Sequence, residues 1–492
     1  MAGIVRRRYL GGAAAALGGL VAAACGEPTV RYVGQPQAGP AGPAGPAGAK
    51  GETGAQGAQG AQGAQGAAAK APVTLDFQHR WNGPAREPLV DQAIEMFEEK
   101  HENILVDLTM NLTPGGPGVD GGVPIGKIIA AIAAGSPPDV FMIHGRATVD
   151  LARRNALTWI DDYLTRDKRS LQELYFPAII PFIQLDGRTY ALPQTASGDD
   201  PYVFYNEDML NAKGIDPKEL NTWQGLLESA KILTEPDGDS FKQVGFNYPG
   251  TAFYVWHTVN AGRLFEGDGK TVAFNDDLGI EALTYPTDAV NQAYGEWLKF
   301  DTFRKAQEKE GQPGINPIFY NGKLGILMSG PWQWINAPKA APNLKMGASR
   351  MPRNANNANS KQTTLAQYTW TWAMGAGLKN PDEAWLLERW MSQDDGHRHL
   401  MTSMGRGTMY RPVAEDPVYY EANPGWDLVL ETINAATPAP ASLGLAALIR
   451  AMNGADMHGK ILRGEASVKS VLDETARLSQ AKVDEAFALA EG

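Results

Sequence analysis

The chain has 492 residues, 43% of them hydrophobic and 20% charged, with a formal net charge of −11. After the opening arginines it carries no basic patch or arginine-rich run, which argues against a nucleic-acid partner. Its one cysteine, Cys25, excludes an intramolecular disulfide, so the fold must hold by core burial.

Residues 1–24 read as an export signal. Arg6, Arg7 and Arg8 precede an apolar stretch rich in Ala and Gly, from Leu10 to Ala24. That stretch is shorter than the roughly 20 residues that span a bilayer. Arg6-Arg7-Arg8-Tyr9-Leu10 fits the twin-arginine export pattern. Ala22-Ala23-Ala24 then places Cys25 just after a small-residue cleavage point, where it can accept lipid. Ala22 stands where Leu is usual, and plain secretion with a bystander cysteine is the alternative. Stable anchoring through Cys25 takes more than one acyl chain, at ~0.8 kcal/mol per buried methylene. The expected place of the rest of the chain is outside the cytoplasm, tethered to a membrane face at the cell surface or in the periplasm.

Residues 25–70 form a low-complexity linker. From Gly39 to Ala68 the sequence is Gly-X-Y without a break, opening with Gly-Pro-Ala triplets and ending in Gly-Ala-Gln and Gly-Ala-Ala. Strict glycine periodicity with proline is the collagen pattern, because only Gly fits at a triple-helix axis. Proline is confined to the first triplets, so a spacer is favoured over a trimeric stalk. Extended as polyproline it would reach roughly 90 Å at ~3.1 Å per residue.

About 420 residues remain, 71–492, too many for one hydrophobic core. Alternation predicts strands at 73–77 and 104–110, and a near-continuous apolar run predicts a third at 139–144. Apolar residues at helical spacing predict helices at 86–101, 125–134 and 148–155. Gly135-Ser136-Pro137-Pro138 stops the second helix. Strand and helix in alternation predict an open parallel α/β sheet. Ligands in such sheets bind beyond the carboxyl ends of the strands. That geometry singles out Trp81, Asn82 and Gly83 after the first strand, and His144, Gly145 and Arg146 after the third. Further on, strands are expected at 202–206, ending at Phe246, at 324–329 and at 368–375. Helices are expected at 222–233, 280–300 and 381–392, with a mostly helical region at 441–490 turning at Gly454 and Gly464.

Signatures of catalysis are missing. Gly116-Pro117-Gly118-Val119-Asp120-Gly121 fits a dinucleotide-loop pattern, but Pro114 and Pro117 remove amide donors that a pyrophosphate needs. His397 and His399 have no evident further metal ligands and read as an exposed helix end. No metal, cofactor or enzymatic reaction is expected.

Aromatic clusters are richer. Ser329-Gly330-Pro331-Trp332-Gln333-Trp334 ends a strand in a sharp turn. Tyr368, Trp370 and Trp372 share one strand face, and Phe253-Tyr254-Val255-Trp256 form a third cluster. Aromatic plates suit the apolar face of a sugar ring, with polar neighbours for its hydroxyls. Each cluster taken alone also suits a core.

With these residues in view the chain resembles the extracellular solute-binding proteins of ABC importers, in the carbohydrate-binding family that includes maltose-binding protein. The resemblance rests on residues 127–140, on 185–193 followed by Tyr205-Asn206-Glu207-Asp208, on Asn221-Thr222-Trp223, and most on Tyr320-Asn321-Gly322-Lys323 leading into Ser329-Gly330-Pro331-Trp332. It implies two α/β lobes joined by hinge crossings: lobe 1 at about 72–193 plus 366–422, lobe 2 at about 197–363 plus 425–492. It implies hinges near 193–196 and 364–368. It also implies a monomeric clamp that closes on a small solute, most simply a sugar, and delivers it to permease subunits. By position, Trp332 looks like the sugar-stacking tryptophan, Asp199 a hydroxyl-binding carboxylate, Arg146 a binding arginine and Phe253 a stacking aromatic. Asn82 lies in the first-strand loop. Trp81, His144, Trp256, Trp370 and Trp334 complete the candidate set. Gly145 and Met142 replace a carboxylate and an aromatic of the maltose site, so a different saccharide is expected. Polyol or glycerol-phosphate binding and a collagen-like surface structural role are the alternatives.

Overall fold

The computed structural model describes residues 71–81, 86–111, 123–195, 201–248, 252–307, 317–363, 370–404, 406–436, 440 and 442–491. Cys25, the Gly-X-Y run and the glycine loop 116–121 lie outside them. The compact unit containing Pro72–Gly492 carries two five-stranded sheets. None of its described helices is long and apolar enough to cross a membrane.

The first sheet contains β1 (Val73–His79), β2 (Ile104–Met110), β3 (Val140–His144), β6 (Leu192–Pro193) and β12 (Trp370–Met374), in the order β2-β1-β3-β12-β6. β1 runs parallel to β2 and β3, as the alternation predicts. β12 runs antiparallel to β3 and β6 and makes the sheet mixed, which corrects the all-parallel expectation. A chain returning from a distant excursion can pair beside β3 in either direction, and hydrophobic alternation carries no sign of direction. Between β3 and β6 lies a small hairpin, β4 (Gln184–Leu185) and β5 (Arg188–Thr189). Its turn residues Asp186 and Gly187 have φ of 51° and 77°, as a type I′ turn requires.

Helices Glu87–Lys100 and Pro381–Ser392 pack together beside this sheet, and the Trp390 indole donates to the Ala93 carbonyl at 2.8 Å. Between them and the sheet, Phe77 meets Trp372 at 4.8 Å and Trp81 meets Trp372 edge-on at 5.8 Å.

The second sheet has the order β11-β7-β10-β9-β8, from β7 (Tyr202–Asn206), β8 (Glu235–Asp237), β9 (Ser240–Phe246), β10 (Leu324–Ser329) and β11 (Met346–Ser349). β9 and β10 are parallel, and β7 is antiparallel to β10. Local sequence sets the helix ends. Asn206 caps Glu207–Lys213, which closes on Gly214 at φ 67°. Thr222 accepts from the Gly225 amide at the head of Trp223–Leu233. The single helix expected at 280–300 is two, Asp277–Tyr294 and Trp297–Gln307. Gly295 at φ 81° breaks it, a conformation cheap only for glycine.

The chain leaves the first sheet after β6 and re-enters it at β12, and the described ends of these two crossings are tied, with the Gln194 amide donating to the Trp370 carbonyl at 2.7 Å and the Trp370 amide to the Thr195 hydroxyl at 3.2 Å. At a third crossing, 423–426, Gly425 (φ 78°) leaves room for Trp334, whose ring would lie 2.1 Å from a Cβ there.

One buried charge in the first sheet gives a pH-dependent prediction. Burial pushes the Asp76 carboxyl up to about 6, helped by Asp139 and Asp107 and opposed by a hydrogen bond from Gln78. The folded state therefore binds the proton more tightly than the unfolded state. Stability falls as pH rises from about 4 through 6. We expect Asp76→Asn to stabilise by about 2–3 kcal/mol at pH 7 and by almost nothing at pH 4. Denaturant unfolding at the two pH values checks this, and an equal effect at both would refute it.

Candidate functional site

The carboxyl ends of β1 and β3 and the amino end of β12 share one edge of the first sheet. The register places Trp370 opposite His144. Thr195 sits beside Trp370, and Thr408 pairs with Thr195. His144, Trp370, Thr195 and Thr408 thus stand in a row. The His144 ring lies 5.0 Å from the Trp370 ring, and the Arg80 guanidinium is 4.6 Å from its centroid. Arg146 stands at the head of the helix Gly145–Arg153, 8% exposed. Below the row, burial pushes His79 down to about 4. Burial also pushes His397, which is not at an exposed helix end, down to about 3, and its Nε2 meets the Thr408 hydroxyl at 2.6 Å. Both rings are neutral at pH 7, and His397 holds the Thr408 hydroxyl and the Met391 carbonyl. No group of three metal-ligating side chains occurs among the described residues.

In the second sheet the parallel strands β9 and β10 also end at one edge. After β10, Gly330 lets the Trp332 ring fold back: a Cβ at 330 would lie 2.1 Å from its Cζ3. Gln333 donates to the Ser329 hydroxyl at 3.0 Å and accepts from Tyr320, which fixes the turn. Trp332 is half-buried, and the Arg406 guanidinium stands 5.2 Å from its centroid. After β9 a cavity of about 580 Å³ opens, lined among others by Asn247, Phe253, Trp297, Arg304, Asp456 and Arg463. Asp456 holds a left-handed φ of 48° and pairs with Arg463 at 2.8 Å. A side chain at Gly459 would collide with that pair.

The sequence candidates therefore separate. His144, Arg146 and Trp370 gather at the first edge, but Trp370 (5% exposed) and His144 (1%) are packed into the core there, which corrects Trp370 as an open stacking plate. Trp332 and Phe253 lie on the second, with Phe253 also packed on His257 and Phe274. Trp81 is 2% exposed and belongs to the Phe77–Trp372 cluster. Trp256 is 1% exposed, between Trp223 and Tyr285. Trp334 packs on Tyr202 and Phe204 at the third crossing. Asn82 and Asp199 lie outside the described residues. Sequence reasoning missed Arg80, Arg406, Trp297 and Asp456. Arg80 directly follows β1 and was open to the same end-of-strand argument as Trp81. The others meet their partners only through the fold.

A family model for bacterial extracellular solute-binding proteins matches residues 92–426, more than half of the chain. The chain belongs to that family. It is similar to an uncharacterized ABC transporter extracellular-binding protein of Pyrococcus horikoshii, 25% identical over 289 residues, which are 56% of this chain and 60% of that one. It is also similar to the sn-glycerol-3-phosphate-binding periplasmic protein of Yersinia enterocolitica, 20% identical over 333 residues, 64% of this chain and 72% of the other. The matched segment spans 60% of the length of the Pyrococcus relative. Among solved structures, CpMnBP1 with mannotriose bound aligns at a TM-score of 0.68 and 21% identity, over 84% of this chain and 100% of the other. The two-lobe α/β solute-binding fold is thereby shared.

Proposed function

We propose that this chain is the capture component of an ABC importer, held outside the cytoplasm, and that it takes up a sugar or oligosaccharide between its two sheet edges. The observation that carries the reading is the half-buried Trp332 indole after β10, met by the Arg406 guanidinium, with Arg80 and Arg146 brought to the edge of the first sheet around the buried Trp370 and His144. Apolar plates with convergent polar groups are what a saccharide ring needs. Hinged closure about the paired crossings brings both edges to one solute. A solute drives closure only by its extra affinity for the closed form. Permease subunits then receive the solute. Lipidation at Cys25, export by the twin-arginine route and a Gly-X-Y spacer complete the proposal, since together they hold the clamp at a membrane face.

A second reading, an organic phosphate such as a phosphorylated polyol, is supported by the guanidinium placed against each indole and by the Yersinia relative. A thermal-shift screen separates the two. A ligand that binds only the native state raises the melting temperature, by about 2.7 kcal/mol of stabilisation at 100 Kd. We expect mannotriose or another neutral saccharide to raise it more than sn-glycerol 3-phosphate does. The opposite order selects the phosphate reading, and no shift with any solute contradicts both.

A further inference from the structure

The lobes touch at more than the crossings. The helix Gly145–Arg153 of the first lobe packs against Leu445–Gly454 and Val468–Glu491 of the second. Arg406 and Trp332 also meet across the gap. Arg406 is 7% exposed, and its backbone is pinned. Its carbonyl accepts from the buried Tyr419 hydroxyl, and its amide donates to the Met401 carbonyl at 3.4 Å. Two residues on, Thr408 is bound to both Thr195 and His397. On the other side, Trp332 is seated by Gly330 and by the helix Gln333–Ala340 that starts beside it.

We propose that Arg406 is a positioning residue for the Trp332 indole and, through that contact, a latch that holds the lobes together before any solute arrives. A guanidinium is planar and weakly hydrated, so it stacks on an indole at little desolvation cost. The contact joins two bodies that move relative to one another, so opening must break it. A partly desolvated cation–π pair is strong enough to move an open-to-closed ratio roughly 3- to 30-fold toward closed. The proposal rests on the two-lobe clamp and not on which solute it takes.

The test uses the full chain without solute. Spin labels at exposed Leu105→Cys and Leu298→Cys, with Cys25→Ser, report the distance between lobes by double electron–electron resonance. Labelling with 5-fluorotryptophan gives a ¹⁹F line for Trp332, assigned with Trp332→Phe. We expect Arg406→Ala to add a second distance population and to shift the Trp332 line. Arg406→Lys, which keeps the cation but not the planar stacking group, restores part of both. Trp332→Leu gives the same second population, and combining it with Arg406→Ala adds nothing more. If Arg406→Ala does not fold, Arg406→Lys and Trp332→Leu carry the test. A distance distribution untouched by Trp332→Leu overturns the latch, as does an Arg406→Lys protein no closer to wild type than Arg406→Ala. Neither outcome depends on a solute, so failure of the solute screen and failure of the latch are told apart.

Discussion

Trp332→Ala weakens binding of the solute that gives the largest thermal shift by about 10- to 100-fold, which is about 1.4–2.8 kcal/mol. The indole is half-buried, stands at the end of β10 and carries no core cluster of its own. Its loss removes one plate of the cleft and leaves both sheets paired. The melting temperature of the solute-free protein therefore changes by only a few degrees. Titration calorimetry reads the affinity, and a thermal melt reads the stability. Unchanged affinity would remove Trp332 from the site. Gly330 gives an independent check, because a Cβ there meets the same ring. Gly330→Ala must displace the indole and weaken binding in the same direction.

Trp256→Ala does the reverse. The indole is 1% exposed and lies 5.7 Å from Trp223 and 5.2 Å from Tyr285. Tyr285 in turn stacks on Trp223 at 4.6 Å and donates to its carbonyl at 2.7 Å. Removing the indole leaves a large cavity between the helices Phe253–Val259, Trp223–Leu233 and Asp277–Tyr294. The expected cost is about 3–5 kcal/mol, lowering the melting temperature by about 10 °C. The folded fraction keeps its solute affinity within about two-fold. Denaturant unfolding and calorimetry check the pair. A stable variant with lost affinity would put Trp256 in the cleft.

These two tryptophans mark how far the sequence could be read. Strands were legible because they are local: alternation gives β1 and β2. The helix that Asn206 caps was not read from the sequence. Nor was depth. Trp370 and Trp372 sit on one strand two residues apart and are both buried, the first under Arg80 at the start of β12 and the second against Phe77. Trp332 and Trp334 look equivalent in sequence. The helix that starts at Gln333 turns them to different sides, one toward Arg406 and one onto Tyr202. The direction of β12 and the break at Gly295 escaped for a similar reason, because hydrophobic spacing records neither strand polarity nor the sign of φ. The contact between Arg406 and Trp332 spans more than seventy residues of sequence and exists only once both lobes are folded.

Amide hydrogen exchange with and without saturating mannotriose, repeated with the best saccharide of the thermal screen, tests the clamp most directly. If two edges grip one solute, exchange slows together at 143–146 and 370–374 in the first lobe and at 329–335 in the second. Protection confined to one lobe, or none at either edge with a saccharide bound, would contradict it.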